Sequence, residues 1–453
     1  MERINKAIKH SKRDVLWFII YKVILDMIYI FIQKDVYSYY GFAFDWNIGK
    51  IIVSWILFLI TSISISSNVV NLRTIFLYTT ICIGVIPFFV YYQFNSEATT
   101  WMLFLQVTIL LFMNITMNRI NIVKNTQTKK ISYSSKSLQV LVICTIGMFF
   151  FLSLLKYGLP SFNQLLLKNS ATVRAEAQTS ILSGIIQNLM CKIVCPLTIM
   201  LSLRRGKKIT FLFAVVVQIY IYAVTGFKTY LFIIIVVVGV SMLKKCNINK
   251  LMLRVLPLIC ICCSLIYVFW GEIYPYALIN ERVLYLPAKI KFSYFDYFSK
   301  HEFVYFSQST VGRLLGIESS YTQNIPNLIG ETYFNKPNMW TNTGFMADAY
   351  ANFGVFGMFL IAMFLSAVIS KADSFLSRDD NQAKQGIYGV FLLFFISLND
   401  GSAVTVFFSG GMIFALIIAG LVSFNDGEEI KACENRLRRG SVHSHNMAGR
   451  DSN

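Results

Sequence analysis

The chain reads as an all-α integral membrane protein, a polytopic bundle of about twelve transmembrane helices with one large outer loop. Three observations lead there. The composition is 56% hydrophobic and only 14% charged, with a mean hydropathy of +0.58, whereas a soluble domain carries about a quarter charged residues. The apolar residues fall in unbroken blocks and not at amphipathic spacing, and a block of about 18 spans a bilayer as a helix because its backbone has no water to bond. The positive charges gather in alternate connections between the blocks.

The basic start, Met1–Asp14, precedes a long apolar block with no small-residue cleavage site, so the first block is read as a retained helix. The spans then follow at 15–32, 51–67, 74–92, 100–118, 138–155, 180–203, 209–225, 229–243, 255–270, 343–370, 386–400 and 403–423. With the N-terminus inside, the inner segments hold 27 of the 41 Lys and Arg residues. Both termini are therefore expected in the cytoplasm, and the segment 271–341 outside. The net charge of +18 is scattered between apolar blocks and forms no basic domain, which argues against nucleic acid as a partner.

Seven of the nine cysteines (Cys82, Cys144, Cys191, Cys195, Cys260, Cys262 and Cys263) lie inside apolar blocks, and Cys246 and Cys433 lie in short basic segments. None is in the long loop, so no disulfide framework is expected. Cys191 and Cys195 stand one helical turn apart without a third ligand nearby, which is the pattern of packing and not of a metal site.

The long inner segments, 119–137 and 425–453, are too short for a catalytic domain, and no Walker A pattern occurs. Asp379-Asp380 reads as a solvated turn. Chemistry is thus expected at the outer side or within the membrane, on a substrate that arrives already activated.

The loop 271–341 has 15 aromatic residues, among them Tyr274, Tyr276, Tyr285, Tyr294, Tyr297, Tyr305, Tyr321 and Trp340. Such rings can cover the apolar faces of sugars in a cavity, or lie along the headgroups in interfacial helices. Six cations (Arg282, Lys289, Lys291, Lys300, Arg313, Lys336) are balanced by six carboxylates (Glu272, Glu281, Asp296, Glu302, Glu318, Glu331). The mixture allows phosphate contact and proton transfer in one place. Arg174 lies in the second-longest outer loop, where its planar fork suits a phosphate or a lipid headgroup. Lys228 opens a span, where a lysine opposes the helix dipole unless an anion sits there or the chain snorkels to headgroups. Lys22 and Asp26 share one helical face and are expected to pair, and Lys192 is expected to face a cavity. His301 is the one histidine placed outside, a candidate base near neutral pH or an incidental loop residue.

Several stretches together resemble the oligosaccharide repeat-unit polymerases, the Wzy-type O-antigen and capsule polymerases. Asn327-Leu328-Ile329-Gly330-Glu331 leads into the run Asn342-Thr343-Gly344-Phe345-Met346-Ala347-Asp348-Ala349-Tyr350-Ala351-Asn352-Phe353-Gly354-Val355-Phe356-Gly357. Arg282-Val283-Leu284-Tyr285-Leu286-Pro287 precedes Tyr294-Phe295-Asp296-Tyr297-Phe298, and Leu398-Asn399-Asp400-Gly401-Ser402 precedes Ser409-Gly410-Gly411. The features run from about Thr225 to Gly420, in the order and spacing of that family.

The resemblance implies a metal-independent, cofactor-free inverting glycosyltransferase of the polytopic GT-C type in the bacterial cytoplasmic (inner) membrane. It would polymerise undecaprenyl-diphosphate-linked oligosaccharides at the outer face into a surface polysaccharide, be it O-antigen, capsule or exopolysaccharide. A flippase and a chain-length regulator would be its partners. On this reading Arg174, Lys228, Arg282 and Arg313 bind the diphosphate. Tyr294, Tyr297, Trp340, Asn342 and Tyr350 bind sugar. One of Glu281, His301 and Asp348 takes the acceptor proton. Family members often carry arginine where this chain has Lys228, so a bidentate phosphate contact is not expected there. Two alternatives share the membrane architecture. An O-antigen-ligase-like transferase would differ in its acceptor. A lipid-linked oligosaccharide flippase would be a transporter with two similar halves, and the sequence shows no internal repeat.

Overall fold

The apolar blocks become helices, and the segment between the blocks at 255–270 and 343–370 becomes a folded part of the core. The computed structural model describes residues 2–67, 69–120, 131–132, 136–166, 170–177, 180–242, 247–309, 312–313, 315–376 and 381–423. Cys246, Cys433, Asp379, Asp380 and most of both long inner segments lie outside the described residues. The main helices are α1 (Arg13–Val36), α2 (Ile48–Ile65), α3 (Leu72–Phe94), α4 (Thr100–Arg119), α5 (Lys136–Tyr157), α6 (Leu182–Arg204), α7 (Lys208–Thr225), α8 (Lys228–Met242) and α9 (Ile248–Trp270). They continue with α10 (Leu286–Phe298), α11 (Ile325–Phe334), α12 (Phe345–Leu376), α13 (Asn381–Asp400), α14 (Ala403–Phe407) and α15 (Met412–Leu421).

Among the described residues nine helices, α1 to α7 with α9 and α12, are long and apolar enough to cross a membrane. The chain is thus a multi-pass membrane protein. The other three expected spans correspond to shorter apolar helices: α8, the Ile387–Asp400 part of α13, and α15. The last expected span, 403–423, is broken. Gly411 has φ +99° and separates α14 from α15. The 10 residues of α15 rise about 15 Å, half of the hydrocarbon thickness.

Helix boundaries follow local chemistry. Asn47 caps α2 by accepting from Lys50 N (3.1 Å), and Asn71 forms a capping box with Thr74 at the start of α3. Gly226 (φ +68°) and Gly271 (φ +72°) end α7 and α9 in the left-handed region. Three π-helical turns each run into a proline: Thr80–Val85 before Pro87, Met190–Val194 before Pro196, and Ala277–Tyr285 before Pro287. Proline lacks the N–H that an α-helix needs and clashes with the preceding turn, so the register widens there. The carbonyls left over take side chains. Gly84 O accepts from Lys291 Nζ (3.2 Å) and Gln106 Nε2 (3.4 Å), and Cys191 O accepts from Gln218 Nε2 (2.7 Å).

The chain divides into two compact units. The first comprises residues 1–123, 245–373 and 391–412, and the second residues 124–244, 374–390 and 413–453. In the first unit α3 is enclosed on all sides, its apolar window fully buried. Beside it lies α10, where Phe292 stacks flat on Phe88 with ring centroids 3.8 Å apart. Twelve of the residues of α10 are buried, Lys289 and Lys291 among them. The rings of this helix, expected to line a sugar cavity or to lie along headgroups, are buried. In the second unit α6 packs along α7 and α8. Cys191 and Cys195 are buried with free thiols.

The expected pair in α1 forms. Lys22 Nζ lies 3.0 Å from Asp26 Oδ2 and donates to Gln93 Oε1 at 2.8 Å. It also sits 4.1 Å from the Trp55 ring centroid, and Gln93 Nε2 donates to Asp26 Oδ1. Lys22→Met would leave Asp26 buried without its cation, so unfolding in detergent should shift by about 3–5 kcal/mol. Adding Asp26→Asn should restore most of the loss. A single variant as stable as the parent in a thermal melt would contradict this account.

Candidate functional site

The first unit contains a cavity of ≈ 410 Å³. Its walls come from α10, the segments 304–309, 324–326 and 340–343, Arg313, the first turns of α12, and the junction of α13 with α14. Tyr294, Arg313, Trp340, Asn342 and Asp348, five of the residues singled out above, line it together.

Three local features assemble this wall. First, Gly344 lets the chain entering α12 lie against the end of α13, since a Cβ there would be 2.4 Å from Asn399 O. The Asn342-Thr343-Gly344 and Asn399-Asp400-Gly401-Ser402 stretches, distant in sequence, are thereby held side by side. Second, α12 is broken at Phe353 and Gly354 (φ +62°, ψ −148°). The carbonyls of Ala351 and Asn352 accept from Val304 N (2.9 Å) and Tyr305 N (3.2 Å), and Asn352 Oδ1 accepts from Phe306 N (2.7 Å). The break thus fastens the segment 304–306 to the cavity floor. Third, Ser402 caps α14 by accepting from Thr405 N (3.1 Å) and donates to Thr405 Oγ1 (3.1 Å), and its side chain lies near the Asp348 carboxylate. Tyr294 Oη donates to Thr341 O at 3.0 Å, fixing the ring.

No protein-family model, curated protein or solved structure matches the chain.

The remaining candidates fall elsewhere. His301 is exposed, stacks on Tyr297 (4.0 Å between centroids, 7° between planes) and meets Tyr297 O through Nδ1 at 2.8 Å. Neither residue lines the cavity. Tyr350 is buried among Trp101, Phe295 and Phe303, where its ring holds the core. Arg282 is exposed, and its charge acts on both Glu281 and Asp400.

Arg174 and Lys228 belong to the second unit, where the turn between α7 and α8 brings them together. Arg174 Nη2 donates to Gly226 O at 3.1 Å, and its guanidinium lies 4.8 Å from the Phe227 ring centroid. A Cβ on Gly226 would meet Ser170 O at 2.3 Å, so only glycine admits the helix Ser170–Glu176 this close. Lys192 is half-buried in the π-helical turn Met190–Val194.

Ser402, marked in the sequence only as part of the 398–402 stretch, lines the cavity, whereas Lys291, one of the six loop cations, and Asp400 do not. Lys291 Nζ reaches Gly84 O, and burial lowers its pKa to about 8, with the Asp400 carboxylate pulling the other way. A Cβ on Gly84 would be 3.2 Å from that ammonium and 2.3 Å from Asn399 Oδ1. The cue available in the sequence was Asn399-Asp400-Gly401-Ser402, a polar run closing an apolar block. Among the described residues no three His, Cys, Asp or Glu side chains gather as a metal-binding set.

Glu281 is 3% exposed and sits in the π-helical turn beside Asn280. Asn280 Nδ2 donates to Cys260 O (3.1 Å) and Ser264 Oγ (2.9 Å), which ties the turn to α9. Burial raises the Glu281 pKa to about 7, opposed by Arg282 and Lys336. The folded state thus holds this proton more tightly than the unfolded chain. The contribution to stability is complete below the ordinary glutamate range and is lost as pH rises through about 7. Between pH 5 and 8 the wild type should therefore lose more melting temperature than Glu281→Gln, roughly in proportion to this linkage. Parallel curves would refute the assignment. Gly344→Ala should cost roughly 1–3 kcal/mol through overpacking, read as a lower midpoint in a thermal melt; an unchanged midpoint would mean that α13 yields freely.

Proposed function

We propose that the protein is a glycosyltransferase that polymerises lipid-diphosphate-linked oligosaccharide repeat units into a surface polysaccharide. One observation carries the reading: a carboxylate, a guanidinium, an amide and two aromatic rings converge on one cavity, through Asp348, Arg313, Asn342, Tyr294 and Trp340. Its ≈ 410 Å³ lies within the range of small-molecule sites. It suits the sugars next to the reacting bond, with the lipid remaining outside.

In the proposed reaction an acceptor hydroxyl attacks the anomeric carbon of the growing chain. The C–O bond to the diphosphate breaks with inversion, and the diphosphate leaves on its lipid. Asp348 accepts the hydroxyl proton, and Ser402 orients its carboxylate. Arg313 offsets the charge that develops on the leaving group, a role worth about 100-fold or more in rate when such a donor is preorganised. Trp340 and Tyr294 cover the apolar faces of sugar rings, and Asn342 reads a hydroxyl. Within the second unit, Arg174 and Lys228 offer cations suited to a phosphate. The cavity faces the outer side of a bacterial cytoplasmic membrane, with both termini in the cytoplasm, and the bundle is of the GT-C type. The reading is supported by the positive-inside pattern and by the placement of the 342–348 and 399–402 stretches in one wall.

Chromosomal Asp348→Asn and Arg313→Ala variants should each cut long surface polymer by at least about 100-fold. Single repeat units should still reach the surface, and the protein should remain in the membrane at normal level. Glycan analysis with an immunoblot of the membrane fraction reads this. Polymer of normal length in both variants would overturn the site, and repeat units trapped inside the cell on gene deletion would indicate a flippase instead.

A further inference from the structure

A second cluster in the first unit is used by none of the steps above. It lies where the connection between α1 and α2 folds over the π-helical turn Ala277–Tyr285 and α11. Tyr37 stacks on Tyr276 (6.1 Å, 17°) and on Tyr40 (6.1 Å, 4°). Tyr40 meets Phe334 edge-on at 5.9 Å. Lys289 Nζ donates to Tyr40 O, and Gly41 (φ +75°) leaves room for that ammonium, which a Cβ would displace. The connection is therefore pinned on three sides, yet Tyr39 at its crest is 63% exposed. Asn335 (φ +52°) ends α11 in a left-handed turn, and the next residue, Lys336, places Nζ 4.3 Å from the Tyr40 centroid and 5.2 Å from that of Tyr39.

Beside these rings lies Glu281. Its carboxylate is buried, and among the described residues it has no hydrogen-bond or ion-pair partner. Its electrostatic neighbours are Arg282, Lys336, Tyr37 and Tyr39. A carboxylate with free acceptor capacity next to rigid, exposed rings suits a ligand that brings hydroxyl donors and apolar C–H faces together. A free anion would be repelled by Glu281, and a purely apolar ligand would leave it unsatisfied.

We propose that Tyr39, Tyr40, Lys336 and Glu281 form a second carbohydrate subsite, separate from the ≈ 410 Å³ cavity, that holds the sugars of the acceptor unit. None of the four lines that cavity. Arg282 acts on both Glu281 and Asp400, and Asp400 precedes Gly401 and Ser402 in the cavity wall. A polymerisation needs two saccharide substrates, so the acceptor assignment rests on the proposed function, while carbohydrate binding does not.

The test uses the full-length protein in lipid nanodiscs, with the oligosaccharide obtained by mild acid hydrolysis of the host's own surface polysaccharide as probe. Binding is read by saturation-transfer NMR and calorimetry on the wild type and on Tyr39→Ala, Lys336→Ala, Glu281→Gln and Arg313→Ala. Tyr39→Ala removes an exposed ring and keeps the fold testable if Glu281→Gln does not fold. The expected result is at least a tenfold loss of affinity for each of the first three folded variants, larger than any loss in Arg313→Ala, which alters only the ≈ 410 Å³ cavity. Affinity unchanged in Tyr39→Ala and Lys336→Ala, affinity lost only in Arg313→Ala, or no saccharide binding by the wild type would each overturn the subsite. The polymerase reading would stand or fall separately, on the surface glycan of the cavity variants.

Discussion

Backbone and charged groups inside a low-dielectric helical bundle must find their partners within the protein, and the architecture of the first unit follows from how they do so. Lys291 is the clearest case. Its ammonium is carried on α10, deep beside α3, and it binds a carbonyl that the π-helical turn Thr80–Val85 leaves available. Proline at 87 widens the turn, glycine at 84 admits the ammonium, and Asn399 closes the other side. Removing any one of these would leave a buried polar group alone. That mutual dependence holds α3, α10 and the end of α13 in one register, and the cavity wall at 399–402 inherits its position from it.

The same logic separates structural from functional charge. Lys22 and Asp26 satisfy one another with Gln93 and the Trp55 ring. They need no ligand. Glu281 differs, since it is nearly as buried and lacks donors among the described residues. Asp348 and Arg313 differ again, because they face a cavity large enough for a ligand. Burial alone does not mark a site; burial combined with an unmet hydrogen-bonding capacity or an open volume does.

Aromatic residues show how context decides their use. Phe292, Tyr350 and Trp340 are all large aromatic residues of the first unit. The first two complete the core, while Trp340 stands 59% exposed at the cavity. Spacing could not sort them, because Leu286–Phe298 packs nearly all round, so no polar face remains to mark its orientation.

The sequence by itself determined that this is a multi-pass helical membrane protein, since block hydrophobicity depends only on local composition. It also placed the Lys22–Asp26 pair, a matter of helical spacing, and it singled out the 342–357 stretch. The tertiary structure decided which candidates share a space. Asp348 lies near Ser402, and Arg313 lines the same cavity as Trp340, although these segments are dozens of residues apart. His301, Tyr297 and Tyr350 turn to other neighbours, and the crest at Tyr39 and Tyr40 gains its meaning only from Glu281 and Lys336 beneath it. The physical reason is the same in each case: local sequence sets helix and hydropathy, whereas convergence depends on packing between segments that no periodicity links.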